Sequence, residues 1–184
     1  MNPSQTPYSP LTVANSFIEL ANKEGRGLTQ LQMQKLSYLF YGWGWALFDR
    51  PLVDHHVEAW KFGPVFPPLY YETRFIGSQE LDRYIPTGLN PWLYEGKMEE
   101  LIPRRDSESR KLVDFIWRRY GHMTGPSLIA ITHKEGSPWY KTWHNDEAIQ
   151  QGRRNLVIKD ELIQEEYKKL RDDLYRQLGD SSAN

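Results

Sequence analysis

No cysteine occurs in the 184-residue chain, which removes disulfides, Cys-ligated zinc, iron–sulfur clusters and thiol nucleophiles at once. Net charge is nearly absent too: 23 Lys and Arg stand against 24 Asp and Glu, a formal −1. A surface built throughout to hold nucleic acid or anionic lipid would carry a strong positive excess. No apolar run nears the roughly 20 residues of a membrane helix, and the N-terminal stretch MNPSQTPYSP has no secretory pattern. Enzyme signatures are also missing. There is no Gly-x-Ser-x-Gly elbow. Gly25-Arg26-Gly27 and Gly42-Trp43-Gly44 lack the flanking strand and the third glycine or lysine of a phosphate-binding loop. His55, His56, His122, His133 and His144 include no i, i+4 pair that would aim two imidazoles at one metal. The acidic pairs Glu99-Glu100 and Asp172-Asp173 lie in polar runs and read as solvated helix faces. No cofactor and no metal are expected.

Aromatic residues are plentiful. Seven Trp, eleven Tyr and seven Phe make up 14% of a chain whose mean hydropathy is −0.69. Large rings in a polar chain imply an aromatic core under a well-solvated surface. The expected molecule is a soluble, cytoplasmic, single domain over residues 9–178, with residues 1–8 and 179–184 as flexible ends. No repeat, low-complexity tract or linker calls for a second domain.

Local signals predict a mainly α fold of five to six helices with a small β-hairpin-like element near residues 55–66. Ser9 as N-cap and Pro10 at the first helical position open a helix carrying Val13, Ala14, Phe17, Ile18 and Ala21, which Gly25 ends. Thr29 and Gln32 form a capping box ahead of a stripe of Met33, Leu36, Phe40, Trp43 and Leu47, widened by Leu39 and Tyr41. Such width marks a central helix, and Gly42 and Gly44 within it imply close approach of another backbone. Residues 57–62 alternate as a strand, with Trp60 and Phe62 on one face as candidate core rings, before Gly63-Pro64 turns the chain. A third helix starts at Pro68 and stops at Gly77. Residues 78–105 show no sustained period and read as an irregular connection. Two helices follow, from about Glu108 to Tyr120 and from Thr124 to His133. Residues 135–145 read as a Trp-rich loop, and a last helix from Asp160 carries Ile163, Tyr167, Leu170, Leu174 and Leu178.

Positive charge is concentrated locally. From Arg104 to Arg119 there are six basic residues against three acidic ones, with Trp117 and Tyr120 nearby. A charged outer face on an amphipathic helix is the favoured reading of that combination, and a nucleic acid or an acidic protein partner could use the same patch. A helix-turn-helix does not fit, because the connection from Lys23 to Leu28 is too long and the second helix is packed with buried-type residues.

Three ordered segments resemble one family. Gln34-Lys35-Leu36-Ser37-Tyr38-Leu39 followed by Gly42-Trp43 is similar to the helix signature of the SocA-like antitoxins, or Panacea domains. Glu58-Ala59-Trp60-Lys61-Phe62-Gly63-Pro64-Val65, with Pro67 and Tyr70, resembles that family's central motif. Leu128 to His133 and then Lys134-Glu135-Gly136-Ser137-Pro138-Trp139 resembles its closing motif. The motif positions are thus Lys35, Leu36, Tyr38, Trp60, Gly63, Pro64, Val65, Tyr70, Thr132, His133, Pro138 and Trp139. The resemblance implies a small helical protein that neutralises a cognate protein toxin by direct binding, without catalysis. Some members are adaptors that hand the toxin to a protease, and some carry an N-terminal DNA-binding domain, which is not expected here with about eight residues ahead of the first predicted helix. Membrane partners are not implied, and nucleic acid is a secondary alternative through the Arg104–Arg119 face. The expected partner anchors are Arg104, Arg105, Arg118 and Arg119 together with Trp139, Tyr140 and Trp143, with plugging of the helical core as the equal alternative for the Trp residues.

Overall fold

The computed structural model describes residues 6–86, 100–150, 152–153 and 156–181. Helix α1 (Pro10–Lys23) starts as its sequence predicts: the Ser9 hydroxyl accepts from the Thr12 N–H, and Pro10 occupies the first turn. Its stripe from Val13 to Ala21 is fully buried, and Gly25 ends it at φ +71°, a conformation that favours glycine. The two-residue strand β1 (Leu28–Thr29) leads into α2 (Gln30–Phe48). Both arms of the Thr29–Gln32 capping box are present.

Helix α2 is the axis of the molecule. It is buried almost all round from Met33 to Ala46, as only a helix enclosed by neighbours can be. The chain continues through β2 (Val57–Trp60), β3 (Gly63–Val65), α3 (Pro67–Thr73), a 3-10 turn at Arg74–Ile76 and β4 (Glu80–Leu81). Then come α4 (Ser107–Tyr120), α5 (Gly125–Thr132), α6 (Pro138–Trp143), α7 (Asp146–Gln150), β5 (Val157–Ile158) and α8 (Asp160–Ser181). Helices α1, α4, α5 and α8 surround α2. Strands β2 and β3 form the expected antiparallel hairpin, with Glu58 opposite Val65 and Trp60 opposite Gly63. Strand β5 adds on the other side of β2, and β1 pairs with β4 in a separate two-stranded sheet. No described helix is long and apolar enough to cross a membrane.

Several expectations are corrected. The close approach at Gly42 comes from a side chain: a methyl there would lie 2.3 Å from the Tyr167 ring of α8. At Gly44 the neighbour is Leu52, at 2.8 Å. Tyr8 is held in place, since its N–H donates to Leu52 O at 2.8 Å and its hydroxyl donates to Asp106 at 2.6 Å. Residues 1–5 lie outside the described residues. The described ends of the 78–105 connection are tied to α1: Asn15 accepts from the Ile85 N–H at 2.7 Å and donates to Ile85 O at 2.9 Å, while Ser16 accepts from the Ile102 N–H. The rest of that expectation, residues 87–99, lies outside the described residues.

The Trp-rich segment is helical in part, because Ser137 caps α6 by accepting from the Tyr140 N–H. Helix α8 passes the expected stop at Leu178 and runs to Ser181, with 182–184 outside the described residues. Only the first half of its stripe is covered: Ile163 and Tyr167 are buried, whereas Leu170 and Leu178 are exposed. Leu47 on α2 is exposed as well.

Candidate partner-binding site

The three motif segments, far apart in sequence, meet at the turn of the β2–β3 hairpin. Lys35 on α2 is fully buried, and its Nζ donates to Pro64 O at 3.0 Å. Gly63 sits at φ +103°, and a methyl on it would lie 2.5 Å from Lys35 Nζ and 2.9 Å from His133 Nε2. No other residue meets both the backbone angle and the space. His133, at the end of α5, stacks on Trp139 with ring centroids 3.6 Å apart and planes 7° apart. The Trp139 indole N–H in turn donates to Trp60 O at 2.8 Å, which binds α6 to the hairpin. Ser137 donates to Thr132 O, and Thr132 donates to Leu128 O. Leu36, Tyr38, Val65 and Pro138 are buried around this junction. Tyr70 meets Trp60 edge to face at 4.7 Å.

The junction holds two basic groups in a dry place. Burial pulls the Lys35 amine down to about 7, because one carbonyl acceptor does not replace the hydration its charge loses. Burial, with the Lys35 charge second, pulls His133 down to about 4, against the opposing pull of the Phe62 backbone. His133 is therefore neutral at pH 7, and its buried Nε2 has no hydrogen-bond partner among the described residues. Among the described residues no group of three or more His, Asp or Glu is placed to hold a metal ion.

What the junction supports is a surface. Phe62, in the two-residue turn between β2 and β3, is 61% exposed, and Tyr71 and Phe75 of the next segment are 55% and 71% exposed. A cleft of about 510 Å³ opens beside Phe62, with Leu31, Trp60, Phe62, Val65, Tyr70 and Ile129 as its apolar lining and Lys61 at its edge. A second cleft of about 370 Å³ lies across Glu58, Trp60 and Lys61, between Tyr71, Trp143 and Arg153. Three of the rings carry a cation: Lys61 over Phe62 at 5.4 Å, Arg74 over Tyr71 at 5.5 Å and Arg153 over Trp143 at 5.3 Å.

The residues expected to anchor a partner are distributed otherwise. Arg104, Arg105, Arg118 and Arg119 are exposed on and before α4, but the rings meant to accompany them are not. Trp117 is buried, with its indole N–H on Glu24 at 2.8 Å, and Tyr120 is buried under Arg119. Arg110 is held by Glu19 at 2.6 Å. Trp139 is only 5% exposed, so it is a core ring in this chain rather than a free anchor. Tyr140 and Trp143 are half-buried. Phe62, expected in the core with Trp60, is the most prominent ring of the hairpin, because alternation ends where the turn begins. Tyr71 and Phe75 carry no signal in the sequence beyond being aromatic on a short helix.

The chain is thus a mainly helical protein whose motif residues brace a hairpin bearing an aromatic and cationic face. Residues 33–140 match the family model described as antitoxin SocA-like, Panacea domain, and the chain belongs to that family. Among curated proteins it is similar to Antitoxin SocA of Caulobacter vibrioides (strain NA1000 / CB15N), with 30% identity over 127 residues. The match covers 69% of this chain and 66% of that relative. No solved structure matches the chain. The family segment contains the whole junction of Lys35, Gly63, His133 and Trp139, and leaves out α1 and α8.

Proposed function

We propose that this chain is a non-catalytic antitoxin that neutralises a cognate protein toxin by binding it directly. The observation that carries the reading is the family match across residues 33–140, whose motif residues are taken up in bracing the fold and leave the surface free to contact a partner. An occluding complex of standard size buries about 1,600 Å² in total, with a few aromatic and Arg anchors contributing most of the affinity. The exposed rings beside the hairpin are of that type. The Arg104–Arg119 face remains a candidate contact through its four exposed arginines. As a nucleic-acid surface it is weakened by the burial of Trp117 and Tyr120, since single-strand binders stack bases on exposed rings.

The test is to express the protein of the adjacent reading frame alone and together with this chain, score growth, and purify. Growth arrest relieved by this chain, with the two proteins co-purifying, is the expected result. Relief without a complex would favour hand-over of the toxin to a protease. A neighbour that never arrests growth would remove the reading for that pair.

A further inference from the structure

We infer that the hairpin–α3 face, centred on Lys61 and Phe62, docks an acidic segment carrying a large apolar side chain. The inference takes only the identity of the partner, the toxin, from the antitoxin reading. Two features of the face carry it, and the first is shape. The cleft beside Phe62 holds about 510 Å³, ample for one or two large side chains. Gln30, Gln34 and Lys35 in its wall are engaged within the chain. Gln34 donates to Phe66 O at 3.2 Å and accepts from the Phe66 N–H at 2.9 Å, and Gln30 donates to Tyr70 O. Lys35 points its Nζ at Pro64 O. An entering group therefore meets rings and aliphatic carbons, which favours an apolar anchor.

The second feature is charge. Lys61, Arg74 and Arg153 each lie over a ring of this face at 5.3–5.5 Å. Such cation–π contact holds a long side chain near one position and lowers the ordering cost of using it at an interface. The carboxylates of β2, β3 and α3 number two. Glu58 accepts from the Trp60 indole at 2.8 Å and pairs with His56 at 3.3 Å, which leaves Glu72 as the other acidic side chain of β2, β3 and α3. Among the described residues no carboxylate lines the cleft. A segment with acidic residues flanking its apolar anchor meets Lys61 at the cleft edge, with Arg74 and Arg153 over rings of the neighbouring cleft, whereas a basic segment would meet repulsion.

Panning random phage-displayed peptides against the full chain tests the chemistry directly. Enriched sequences should combine Asp or Glu with Trp, Phe, Leu or Met. Their binding should fall about tenfold or more on Phe62→Ser or Lys61→Glu, the scale of one lost anchor, and stay within about twofold on Arg104→Glu or Arg118→Glu, changes far from the hairpin in sequence and outside the interface core. Thermal melting of the Phe62→Ser chain should match the parent, since that ring is exposed. Enrichment of basic or uncharged peptides, no enrichment at all, or equal binding to the Phe62→Ser and Lys61→Glu chains would overturn the inference. Growth rescue separates the two readings. If the parent chain rescues and the hairpin variants rescue equally well, the surface assignment fails. If the parent chain itself does not rescue, the antitoxin reading fails while the panning result still decides the surface.

Discussion

Lys35 Nζ donates to Pro64 O at 3.0 Å from within the protein interior, so the central helix holds the hairpin turn through a buried amine. This has a consequence for pH. Burial lowers the Lys35 amine from 10.5 to about 7 in the folded chain. Between those values the unfolded chain binds the proton and the folded chain does not. Stability therefore rises with pH from about 7 toward 10.5 as far as this group is concerned, and its burden is greatest below pH 7. The melting temperature should climb between pH 7 and 9 in the parent chain. Lys35→Met should flatten that climb, even though it leaves Pro64 O without its donor. Parallel melting profiles for the two chains would show that Lys35 does not govern this range.

Gly63 and Gly25 separate two costs that a glycine avoids. Both have positive φ, +103° and +71°, but a methyl on Gly25 meets nothing within 4 Å, while one on Gly63 meets Lys35 and His133. Gly25→Ala should lose about 1 kcal/mol, the cost of a left-handed non-glycine residue. Gly63→Ala should lose about 3 kcal/mol or more, because backbone strain and overpacking act together. Urea unfolding of both variants measures the difference, and equal losses would mean that the junction yields to the added methyl.

Gly42 makes a sharper case, since its helix would gain from alanine in isolation. Propensity alone favours Gly42→Ala by about 1 kcal/mol. Yet the added methyl would lie 2.3 Å from the Tyr167 ring, where α8 crosses α2, and Tyr167 is buried against Tyr38 and Trp43. Overpacking of about 1–3 kcal/mol should win, lowering the melting temperature. Loss of protection in α8 by hydrogen exchange would place the damage at that crossing. A variant more stable than the parent would mean that α8 shifts to make room.

Much of the architecture is legible in the sequence where the signal is local. Ser9-Pro10, Thr29 with Gln32, and Gly25 mark helix ends through groups within a few residues, and each acts as read. Gly63-Pro64 and the alternation before it mark the hairpin. The Ser137-Pro138 cap of α6 has the same form as Ser9-Pro10 and was equally readable, but six residues with two Trp and a Tyr also resemble a loop. Two-residue strands such as β1, β4 and β5 have no period to detect. Trp117 lies four residues after Val113 on the inward face of α4, so periodicity already pointed it at the core despite the arginines around it. The candidate face was less accessible. Phe62, Tyr71 and Phe75 differ from buried rings only in what packs over them, and that depends on where α3 sits against the hairpin.

Trp139 and Phe75 are the pair on which core and contact can be told apart. Trp139 is 5% exposed, stacks on His133 and donates to Trp60 O, whereas Phe75 is 71% exposed. Trp139→Ala should destabilise the chain by about 3–5 kcal/mol, the usual cost of truncating a buried large ring, and should loosen the hairpin that Trp60 belongs to. Any loss of binding to the proposed toxin partner in that variant would follow its loss of structure and would be recovered in part at low temperature, where the folded population returns. Phe75→Ser should leave melting within about 0.5 kcal/mol of the parent. If Phe75 contributes to the contact, its loss would persist at every temperature at which the chain is folded. Melting curves and binding titrations at two temperatures make the distinction. A Trp139→Ala chain that melts like the parent but no longer binds would return that ring to the interface, which requires α6 to turn outward in the complex.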